Sequence, residues 1–577
     1  MPNRLKAALA SGKFVVTLEL VPGRGAHEEA QAAALDKARR INETGRVQAI
    51  SITDNPGGNP ALLADSVAAE LESEGMTTLV HFTCKDRNRN QLASQLFALE
   101  RQGIQNLLIM SGDAICSGWN GCARPVFDLD SVQLVQMVSE MNRGLEAAMG
   151  KESATGKEPA TGKESATGKE SAVELGTHFF FGAVVSPFKW TEAESLTQYF
   201  KLEKKILSGA QFIITQLGYD ARKMEELLLF MRSRGYTTPV LANVYLISEQ
   251  AALYMKGGKV PGAFISDEFL AVLNEEAKAA DKGKHLRCVR AAKMVAIARG
   301  LGYAGVHLSG IGLNAETVEQ VLDMADELQG QWRSWAQEMR YGQPGGFYLF
   351  ENAADASAAP DVGGSVWPDG FFPIVPPYQT GPAEGAKIYR GWGTSRFFHY
   401  WVLTRDRRFY GLLRGAMDRR ERRKGLHAHH GFERMSKALL YGCKDCGDCG
   451  LETTAYSCPM SQCPKCQRNG PCGGSAEGWC EVYPQERYCI YYKAYLRLKR
   501  HGEVGMLDSY ITPPCDGDLD STSAWSNYTH GRDNAARRLY LPRANERGGA
   551  GGGLTYRNAN VYDDDQTAKG ACNGYEQ

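Results

Sequence analysis

A (β/α)8 TIM barrel followed by a small α-helical, cysteine-rich, metal-binding domain is the α/β fold class that this sequence predicts. From the N-terminus to about residue 345, eight short runs rich in β-branched and aromatic residues alternate with longer amphipathic stretches. Most runs begin roughly thirty residues apart, enough for a strand, a helix and two short loops. Nine of the 15 cysteines lie between Cys443 and Cys489. An open doubly wound sheet is the alternative for the first part.

The eight runs predict eight strands, which eight βα units can close into a barrel. In chain order they are Phe14 to Leu20, Val47 to Thr53, Thr77 to Thr83, Asn106 to Gly112, His178 to Val185, Ala210 to Gln216, Pro239 to Val244 and Tyr303 to Leu308. The gap after the fourth run is too long for one helix. It contains a hexad repeat, residues 151–172, whose side chains can bury almost nothing, so we interpret it as a flexible surface insertion.

Composition changes mark the remaining boundaries. Residues 346–392 are rich in glycine, proline and alanine, which is typical of a linker after the barrel at 1–345. We expect a helical and cysteine-rich domain over residues 393–510 and a largely irregular tail over residues 511–577.

Charge and hydropathy restrict the environment and the partners. The 66 basic and 66 acidic residues cancel, so no overall field favours nucleic acid or an anionic membrane. No apolar run is long enough to span a bilayer, and the start of the chain lacks the apolar stretch of an export signal. We therefore expect a soluble cytoplasmic protein without a membrane span. We also expect an oligomer. Clustered cysteines in such a compartment indicate metal ligation instead of disulfides.

Polar residues at the ends of the predicted strands mark the candidate site, because the βα loops of such a barrel converge on one face. They are Glu19, Thr53, Asp54, His81, Thr83, Asp113, Ser186, Gln216, Asn243 and Ser309. A carboxylate inside the apolar run VVTLELV requires a reason, and function is the interpretation that we favour. The alternative is an ion pair between Glu19 and Arg24. For His81 the alternative is a core histidine with its hydrogen bonds satisfied.

The order of five motifs carries a resemblance to a known family. ELVPGRG, SIT, HFTCKDRN, MSGD and ITQ each fall at the end of a successive predicted strand, and together they resemble the methylenetetrahydrofolate reductases over essentially the whole barrel. The resemblance implies flavin-dependent reduction of 5,10-methylenetetrahydrofolate to 5-methyltetrahydrofolate. FAD is the cofactor that the family implies, with FMN as an alternative, and a folate is the implied substrate.

The same resemblance implies roles for individual residues. Glu19 would be the general acid that protonates the folate N10, with a pKa raised toward neutrality by burial near the flavin. Asp113 would lie beside the flavin and the folate, and Gln216 would hydrogen-bond the pterin. Contacts to the flavin are implied for Thr53, His81, Thr83, Ser111 and Gly112, and contacts to its phosphates for Lys204 and Lys205. Composition alone would make these two lysines a solvated helix face.

The cysteine block predicts metal ligation by nine thiols: Cys443, Cys446, Cys449, Cys458, Cys463, Cys466, Cys472, Cys480 and Cys489. Three thiolates two residues apart with a more distant Cys-Pro are typical of a [4Fe-4S] cluster, so we expect one or two clusters. Zinc is the alternative, either alone or in place of one cluster, because Cys443, Cys446, Cys463 and Cys466 also have zinc-ribbon spacing. Packed free thiols are the remaining interpretation.

NGPCGG and WCEVYP resemble the small iron-sulfur partner subunit of reductases in acetogens and related anaerobes, here fused to the barrel. This implies electron entry from a protein such as a ferredoxin or a larger redox complex. Nine basic residues over 405–424 indicate either an acidic partner or a solvated helix. Two other functions stay open: a tetrahydrofolate-binding methyltransferase that serves a corrinoid protein, and a zinc-ribbon binding or assembly protein.

Overall fold

The computed structural model describes most of the chain. The described residues are 3–144, 176–352, 371–373, 388, 391–405, 407–427, 430–542 and 555–556. The predicted insertion at 151–172, most of the predicted linker and the last part of the predicted tail lie outside this range.

Eight parallel strands close into a barrel, in which each strand pairs with the next and β8 pairs with β1. The strands are β1 (Val15–Leu20), β2 (Ala49–Ile52), β3 (Thr78–Thr83), β4 (Asn106–Met110), β5 (Phe180–Val185), β6 (Phe212–Thr215), β7 (Val240–Leu246) and β8 (Gly305–Gly310). The predicted fold class is confirmed. Each predicted run coincides with one strand, although β7 and β8 extend two residues further than the predicted runs.

Helices surround the barrel and bury one face against it. They are α1 (Arg4–Ala10), α2 (Glu29–Glu43), α3 (Ala64–Ser73), α4 (Arg89–Arg101), α5 (Ser131–Asn142), α6 (Glu192–Leu207), α7 (Ala221–Ser233), α8 (Glu249–Tyr254), α9 (Asp267–Glu276), α10 (Lys284–Leu301), α11 (Ala315–Leu328) and α12 (Trp332–Glu338). Local sequence fixes several helix starts, and Asp130 with Gln133 forms a capping box on α5. The helix α1 closes the amino-terminal end of the barrel, where Leu5 packs against Val15.

After the barrel, the chain forms a region of short helices and small sheets. Its helices are α13 (Trp392–Phe398), α14 (Arg408–Lys424), α15 (Gly431–Tyr441), α16 (Pro459–Gln462), α17 (Ile490–Lys499) and α18 (Ala524–Thr529). Its strands are β9 (Phe350–Asn352) paired with β10 (Phe371–Pro373), and β11 (Tyr510–Ile511), β12 (Leu539–Tyr540) and β13 (Thr555–Tyr556) in one antiparallel sheet.

The first part of the predicted tail differs from the expectation of an irregular segment. Residues 511–542 include α18 and β12, and Ile511, Leu539 and Leu541 are buried against Val132 of α5. These few apolar residues pack on a barrel helix instead of forming a core of their own. A polar segment of that kind has no local pattern that predicts a fold.

Helix α6 joins the barrel to the C-terminal region. Its apolar residues Ala193, Leu196 and Phe200 share one buried cluster with residues of α17. At its start, Glu192 accepts a hydrogen bond from Tyr495 at 2.6 Å and pairs with Lys499 at 2.5 Å. Nearly every residue of α6 is therefore buried, between the strands on one side and the C-terminal region on the other. None of the described helices has the length and apolar character needed to cross a membrane.

Candidate functional site

A carboxylate and a histidine face each other at the carboxyl end of the barrel. Glu19 lies near the end of β1, and His307 lies on the neighbouring strand β8 with Nε2 3.9 Å from Glu19 Oε2. The other ring nitrogen, Nδ1, is 2.9 Å from the hydroxyl of Thr17. A hydroxyl that donates to Nδ1 leaves the Nε2 proton directed at the carboxylate. The partner of Glu19 is therefore His307 and not Arg24, whose side chain is exposed.

The protein's own groups lower the pKa of Glu19. Burial on its own raises this pKa, but the contact with His307 and the charges of His307, His81 and Lys37 together bring it below the ordinary value. The expectation of a raised pKa applies to Glu19 beside a bound flavin and stays a prediction, whereas the protein alone lowers this pKa. The sequence could not show the reason, because His307 is 288 positions away and reaches Glu19 only when β8 closes on β1.

His81 is a second histidine in the same mouth. Its ring centroid is 6.4 Å from that of His307, and its Nε2 is 2.8 Å from the hydroxyl of Ser51. Burial lowers the pKa of His81 to about 4, against the opposing charge of Glu19. The imidazole is therefore neutral near pH 7, where it can give or take a hydrogen bond without carrying a charge.

Two buried hydroxyls point to a bound polar molecule. Thr53 follows β2 and Ser186 follows β5, and within the described residues neither hydroxyl has a hydrogen-bond partner. Leaving a buried hydroxyl unpaired costs roughly 1–3 kcal/mol. A ligand with polar atoms at these positions would remove that cost. Thr83, by contrast, is already satisfied because its hydroxyl donates to Asp54 at 2.7 Å.

The turn at residues 111–113 is built for close approach. Gly112 has a φ of +82°, and an added Cβ there would lie 2.9 Å from the Lys85 side chain, so the turn requires glycine. The carboxylate of Asp113 accepts a hydrogen bond from the backbone N–H of Gly57 at 2.8 Å. The loop after β2 thereby fixes Asp113 at the rim of the mouth.

Gln216 follows β6 and faces a loop from the C-terminal region. Its Nε2 donates to the carbonyl of Pro261 at 3.4 Å. The neighbouring Gly262 packs closely against the carbonyl of Gly473 in the C-terminal region. A Cβ added to Gly262 would lie 2.6 Å from that carbonyl oxygen and 3.4 Å from Gln216 Nε2. Further round the mouth, Ser309 donates to Asn243 at 2.7 Å, so this pair is structural.

The lysines of α6 are buried, which makes the interpretation as a solvated face wrong for Lys204 and Lys205. Lys205 donates to the carbonyl of Val184 at 2.6 Å, and burial lowers its pKa to about 7. One turn earlier, Lys201 donates to Gln467 at 2.6 Å, to the Gly470 carbonyl at 3.2 Å and to the Pro471 carbonyl at 3.1 Å.

A segment of the cysteine-rich region covers part of the barrel mouth, and we call residues 465–475 the capping segment. Lys465 donates to the carbonyl of Gly112 at 2.8 Å, and Ser111 donates to Gln467 at 3.1 Å. From the barrel side, Lys189 donates to the carbonyl of Gly473 at 2.7 Å and Gln198 to that of Cys472 at 2.7 Å. The capping segment therefore forms a wall of the candidate site.

The cysteines fall into two sets of electrostatic neighbours. Burial raises the pKa of Cys463, Cys472 and Cys489. The charge of Cys472 also raises the pKa of Cys463 and Cys489, and the charge of Cys480 raises that of Cys472 and Cys489. We call Cys463, Cys472, Cys480 and Cys489 the inner set, because Cys472 belongs to the capping segment.

The outer set contains the other five predicted ligands. Burial raises the pKa of Cys443, Cys449 and Cys466. The charges of Cys458 and Cys446 raise the pKa of all three further, so these five cysteines are electrostatic neighbours. A tenth cysteine, Cys515, joins them: its hydrogen bond with Cys446 is the largest cause that raises the pKa of Cys446. The backbone N–H of Cys466 donates to the carbonyl of Cys463 at 3.1 Å, so these two residues are adjacent although their thiols fall in different sets. Within the described residues, no group of three or more His, Cys, Asp or Glu side chains has the spacing needed to hold a metal ion.

Sequence reasoning missed His307, Lys189, Lys201, Lys465, Gln467 and Cys515. A signal existed for His307, because a histidine in the apolar run GVHLSG is as unusual as Glu19 in its own run. No comparable signal marked the others. The two lysines on or before α6 look like ordinary helix charges, and the capping residues acquire a role only by reaching across to the barrel.

A parallel eightfold barrel with a carboxylate, two histidines and unpaired hydroxyls at the strand ends defines an enzyme-like barrel. Comparison with known proteins gives the family. The family model described as methylenetetrahydrofolate reductase matches residues 4–149 and 174–326, and the model described as methylene-tetrahydrofolate reductase C terminal matches residues 426–518. The chain belongs to the methylenetetrahydrofolate reductase family.

One curated relative is a probable methylenetetrahydrofolate reductase (NADPH) of Caenorhabditis elegans. It is 23% identical over 217 residues, which cover 36% of this chain and 27% of the relative. The chain thus spans about a quarter of that relative's length.

Solved structures resemble this chain only distantly. An uncharacterized protein from Clostridium thermocellum, described as binding two copies of 5-methyl-5,6,7,8-tetrahydrofolic acid, is 11% identical, with a TM-score of 0.38 over 57% of this chain and 99% of its own. The Yersinia pestis DHPS with a pterine-sulfa conjugate is 12% identical, with a TM-score of 0.28 over 55% of this chain and 94% of its own. Likenesses this weak carry no functional argument.

Proposed function

We propose that this chain reduces 5,10-methylenetetrahydrofolate to 5-methyltetrahydrofolate with a bound flavin. The observation that carries the proposal is Glu19, held between His307 and His81 in the barrel mouth of a chain of this family. Opening the five-membered ring of the substrate needs a proton at N10, and Glu19 is the carboxyl placed to give it.

The flavin site fits residues that this chain provides. Thr53 and Ser186 offer buried hydroxyls that have no partner among the described residues. Gly112 is proposed as a backbone contact in the turn that ends with Asp113. His81, Thr83 and Ser111 complete the proposed flavin contacts. A bound flavin supplies the hydride, and the protein supplies orientation and protons. FAD and FMN both agree with these contacts.

Protonation of Glu19 is the step in which the protein's own groups matter most. The group that faces Glu19 is His307, whose Nε2 lies 3.9 Å from the carboxylate. Apolar rings of flavin and folate stacked over Glu19 would exclude water and raise its pKa from the lowered value set by the two histidines. The proton then passes from Glu19 to the folate N10 as the ring opens.

Asp113 and Gln216 are the proposed contacts to the pterin. They lie after β4 and β6 on the same rim, where Asp113 is fixed by Gly57 and Gln216 lies beside Pro261. A carboxylate and an amide can pair with the alternating donors and acceptors of a pterin edge. Lys204 and Lys205 are proposed to neutralise the flavin phosphates, although Lys205 would have to leave the carbonyl of Val184 to do so.

The inner and outer cysteine sets are proposed to hold iron-sulfur clusters through which electrons reach the flavin. Buried thiolates side by side repel one another, and iron relieves this repulsion because thiolates are the usual cluster ligands. The inner set belongs to the region that forms a wall of the site, since the carbonyl of Cys472 accepts a hydrogen bond from Gln198 of α6 at 2.7 Å. An electron carrier would then deliver electrons to the outer set first.

The test is an anaerobic preparation with flavin, iron and zinc quantified, followed by reoxidation of the reduced flavin with methylenetetrahydrofolate. Glu19→Gln should slow reoxidation by about 10²- to 10⁴-fold, because a general acid contributes that much. The matched control is Glu100→Gln, since Glu100 pairs with His178 at 2.9 Å before β5, away from the site.

Other results would support one of the two alternative functions. A preparation without flavin that transfers methyl groups to a corrinoid would support the methyltransferase. Zinc without iron, together with salt-sensitive binding of nucleic acid, would support the zinc-ribbon protein. Rapid reoxidation of the Glu19→Gln flavin would remove Glu19 from its proposed role.

A further inference from the structure

Helix α15 is amphipathic with its apolar face turned outward. Phe432 and Leu439 are 73% and 86% exposed, whereas Glu433 and Lys437 are only 4% and 8% exposed. Met435 and Leu440 are exposed as well, so the outward residues recur at helical spacing. A surface helix normally buries such a stripe, and an exposed stripe marks an interaction surface.

Buried polar contacts hold the helix in this orientation. Glu433 pairs with Lys437 at 3.0 Å along α15 and also accepts hydrogen bonds from the hydroxyl of Ser523 at 2.6 Å and the backbone N–H of Trp525 at 3.1 Å. Rotating the helix to bury Leu439 would break all three contacts and leave buried charges unpaired, which is costly. The outward apolar stripe is therefore part of the folded structure.

The apolar surface continues onto the neighbouring elements. Trp525 joins α15 to α13, because its ring centroid is 6.5 Å from Phe432 and 5.6 Å from Phe398. Further exposed apolar side chains lie on α13, on the turn at residues 399–403 and on α14: Phe397, Tyr400, Trp401, Phe409 and Leu412. We call α15 together with residues 397–412 the apolar face.

Exposed positive charge lies on the same helices as this apolar face. The exposed basic residues of α14 and α15 are Arg414, Arg419, Arg422, Arg423, Lys424 and Arg434. Apolar side chains supply affinity at the centre of an interface, while charges around them select the partner and speed association. A partner that fits therefore carries carboxylates around an apolar centre.

The apolar face adjoins the outer cysteine set. Helix α15 ends at Gly442, and the next residue, Cys443, donates its backbone N–H to the carbonyl of Lys437 at 3.3 Å. The charge of Lys437 favours the thiolate forms of both Cys443 and Cys449, which shows that its side chain lies near these two thiols. A protein docked on α15 is thus separated from the outer set by the helix alone, because Lys437 lies on its buried side and the apolar stripe on its outer side. An α-helix with its side chains is about 10 Å across.

We propose that the apolar face docks a small acidic iron-sulfur electron carrier. The proposal rests on the proposed function in one respect, which is that electrons enter through the C-terminal region. The face selects the carrier through its arginines, and the exposed side chains of α15 hold the carrier one helix thickness from the outer set.

The test uses the full-length protein and a reduced, acidic two-[4Fe-4S] ferredoxin as the probe. Leu439→Glu should weaken ferredoxin binding at least about tenfold, because it places a carboxylate at the apolar centre of the contact. Phe97→Glu is the control, since Phe97 is exposed on α4. Arg423→Glu should also weaken binding and flatten its dependence on salt, with Arg101→Glu on α4 as its control.

Reduced methyl viologen separates this proposal from the proposed function, because a small donor needs no docking surface. Viologen-driven reduction of methylenetetrahydrofolate should be equal in wild type and Leu439→Glu. If viologen drives no folate reduction in the wild type, the proposed function fails while the binding result stands. Equal ferredoxin binding by Leu439→Glu and wild type would overturn the docking proposal, as would a wild-type dimer that Leu439→Glu dissociates.

Discussion

At the scale of single residues, the main feature is a carboxylate held by two histidines of different character. Burial lowers the pKa of His81 to about 4, so it stays neutral, while the Nδ1 of His307 is 2.9 Å from the Thr17 hydroxyl and its Nε2 faces Glu19. Both histidines lower the pKa of Glu19. The proposed function requires Glu19 to hold a proton that His307 makes easier to lose.

The first prediction concerns His307→Gln. Burial raises the pKa of Glu19 and His307 lowers it, so removing His307 should leave a higher pKa. The protonated acid then persists to higher pH, and the alkaline limb of the flavin reoxidation rate should move upward in pH. The measurement is the pH profile of that single-turnover rate between about pH 5 and pH 9.

The control for this change is His178→Gln. His178 pairs with Glu100 at 2.9 Å before β5, so its loss should leave the profile unchanged. A downward shift with His307→Gln, or equal shifts in both variants, would contradict the assignment of His307 as the partner of Glu19.

At the scale of elements, helix α6 and the capping segment form one unit. Lys201 supplies three hydrogen bonds to this segment, and Gly470 has a φ of +137° with only 2.7 Å between an added Cβ and the Lys201 side chain. A lysine therefore replaces the hydrogen bonds that water would otherwise give to these carbonyls. The helix and the segment depend on each other for their shape.

The second prediction concerns Lys201→Met. The change leaves the buried carbonyls of Gly470 and Pro471 without their donor and leaves Gln467 Oε1 with Ser111 as its donor, which should cost about 2–4 kcal/mol. Urea unfolding should show this loss, and hydrogen exchange should increase over residues 465–475. Lys13→Met changes an exposed lysine and should alter neither measurement. Unchanged exchange in the capping segment would show that Lys201 does not hold it.

The sequence predicts the barrel well and the C-terminal region poorly, for a physical reason. Strands buried on both faces give continuous apolar runs, so all eight are visible as local patterns. The contacts of Lys465 with Gly112 and of Arg468 with Asp130 join residues more than 300 positions apart. Such contacts leave no periodic pattern in either segment. Most residues of the candidate site could be predicted as polar residues at strand ends, but the capping segment could not.

At the scale of the whole molecule, the two cysteine sets order the proposed electron path. The outer set lies beside α15 and the inner set continues into the capping segment on the barrel. Cys515, which is outside the predicted block, hydrogen-bonds Cys446 and makes the outer set six cysteines. The two sets thus predict separate metal centres.

The third prediction tests that separation. Cys472→Ser with Cys489→Ser should remove the iron of the inner set and leave that of the outer set, and Cys443→Ser with Cys449→Ser should do the reverse. Iron content and low-temperature electron paramagnetic resonance measure both. Cys288→Ser, a buried cysteine on α10, is the control and should keep all iron. Loss of all iron in either double variant would contradict two independent sets.

Through the capping segment, oxidation of the inner cysteine thiols would also affect the proposed folate site. Cys472 lies within the segment, and its neighbours on either side accept hydrogen bonds from Lys201 and Lys189 of the barrel. Oxidation of the inner set would therefore distort a wall of the barrel mouth as well as interrupt electron delivery. Damage by air should abolish folate binding itself, so that restoring a small-molecule reductant alone would not rescue an oxidised sample.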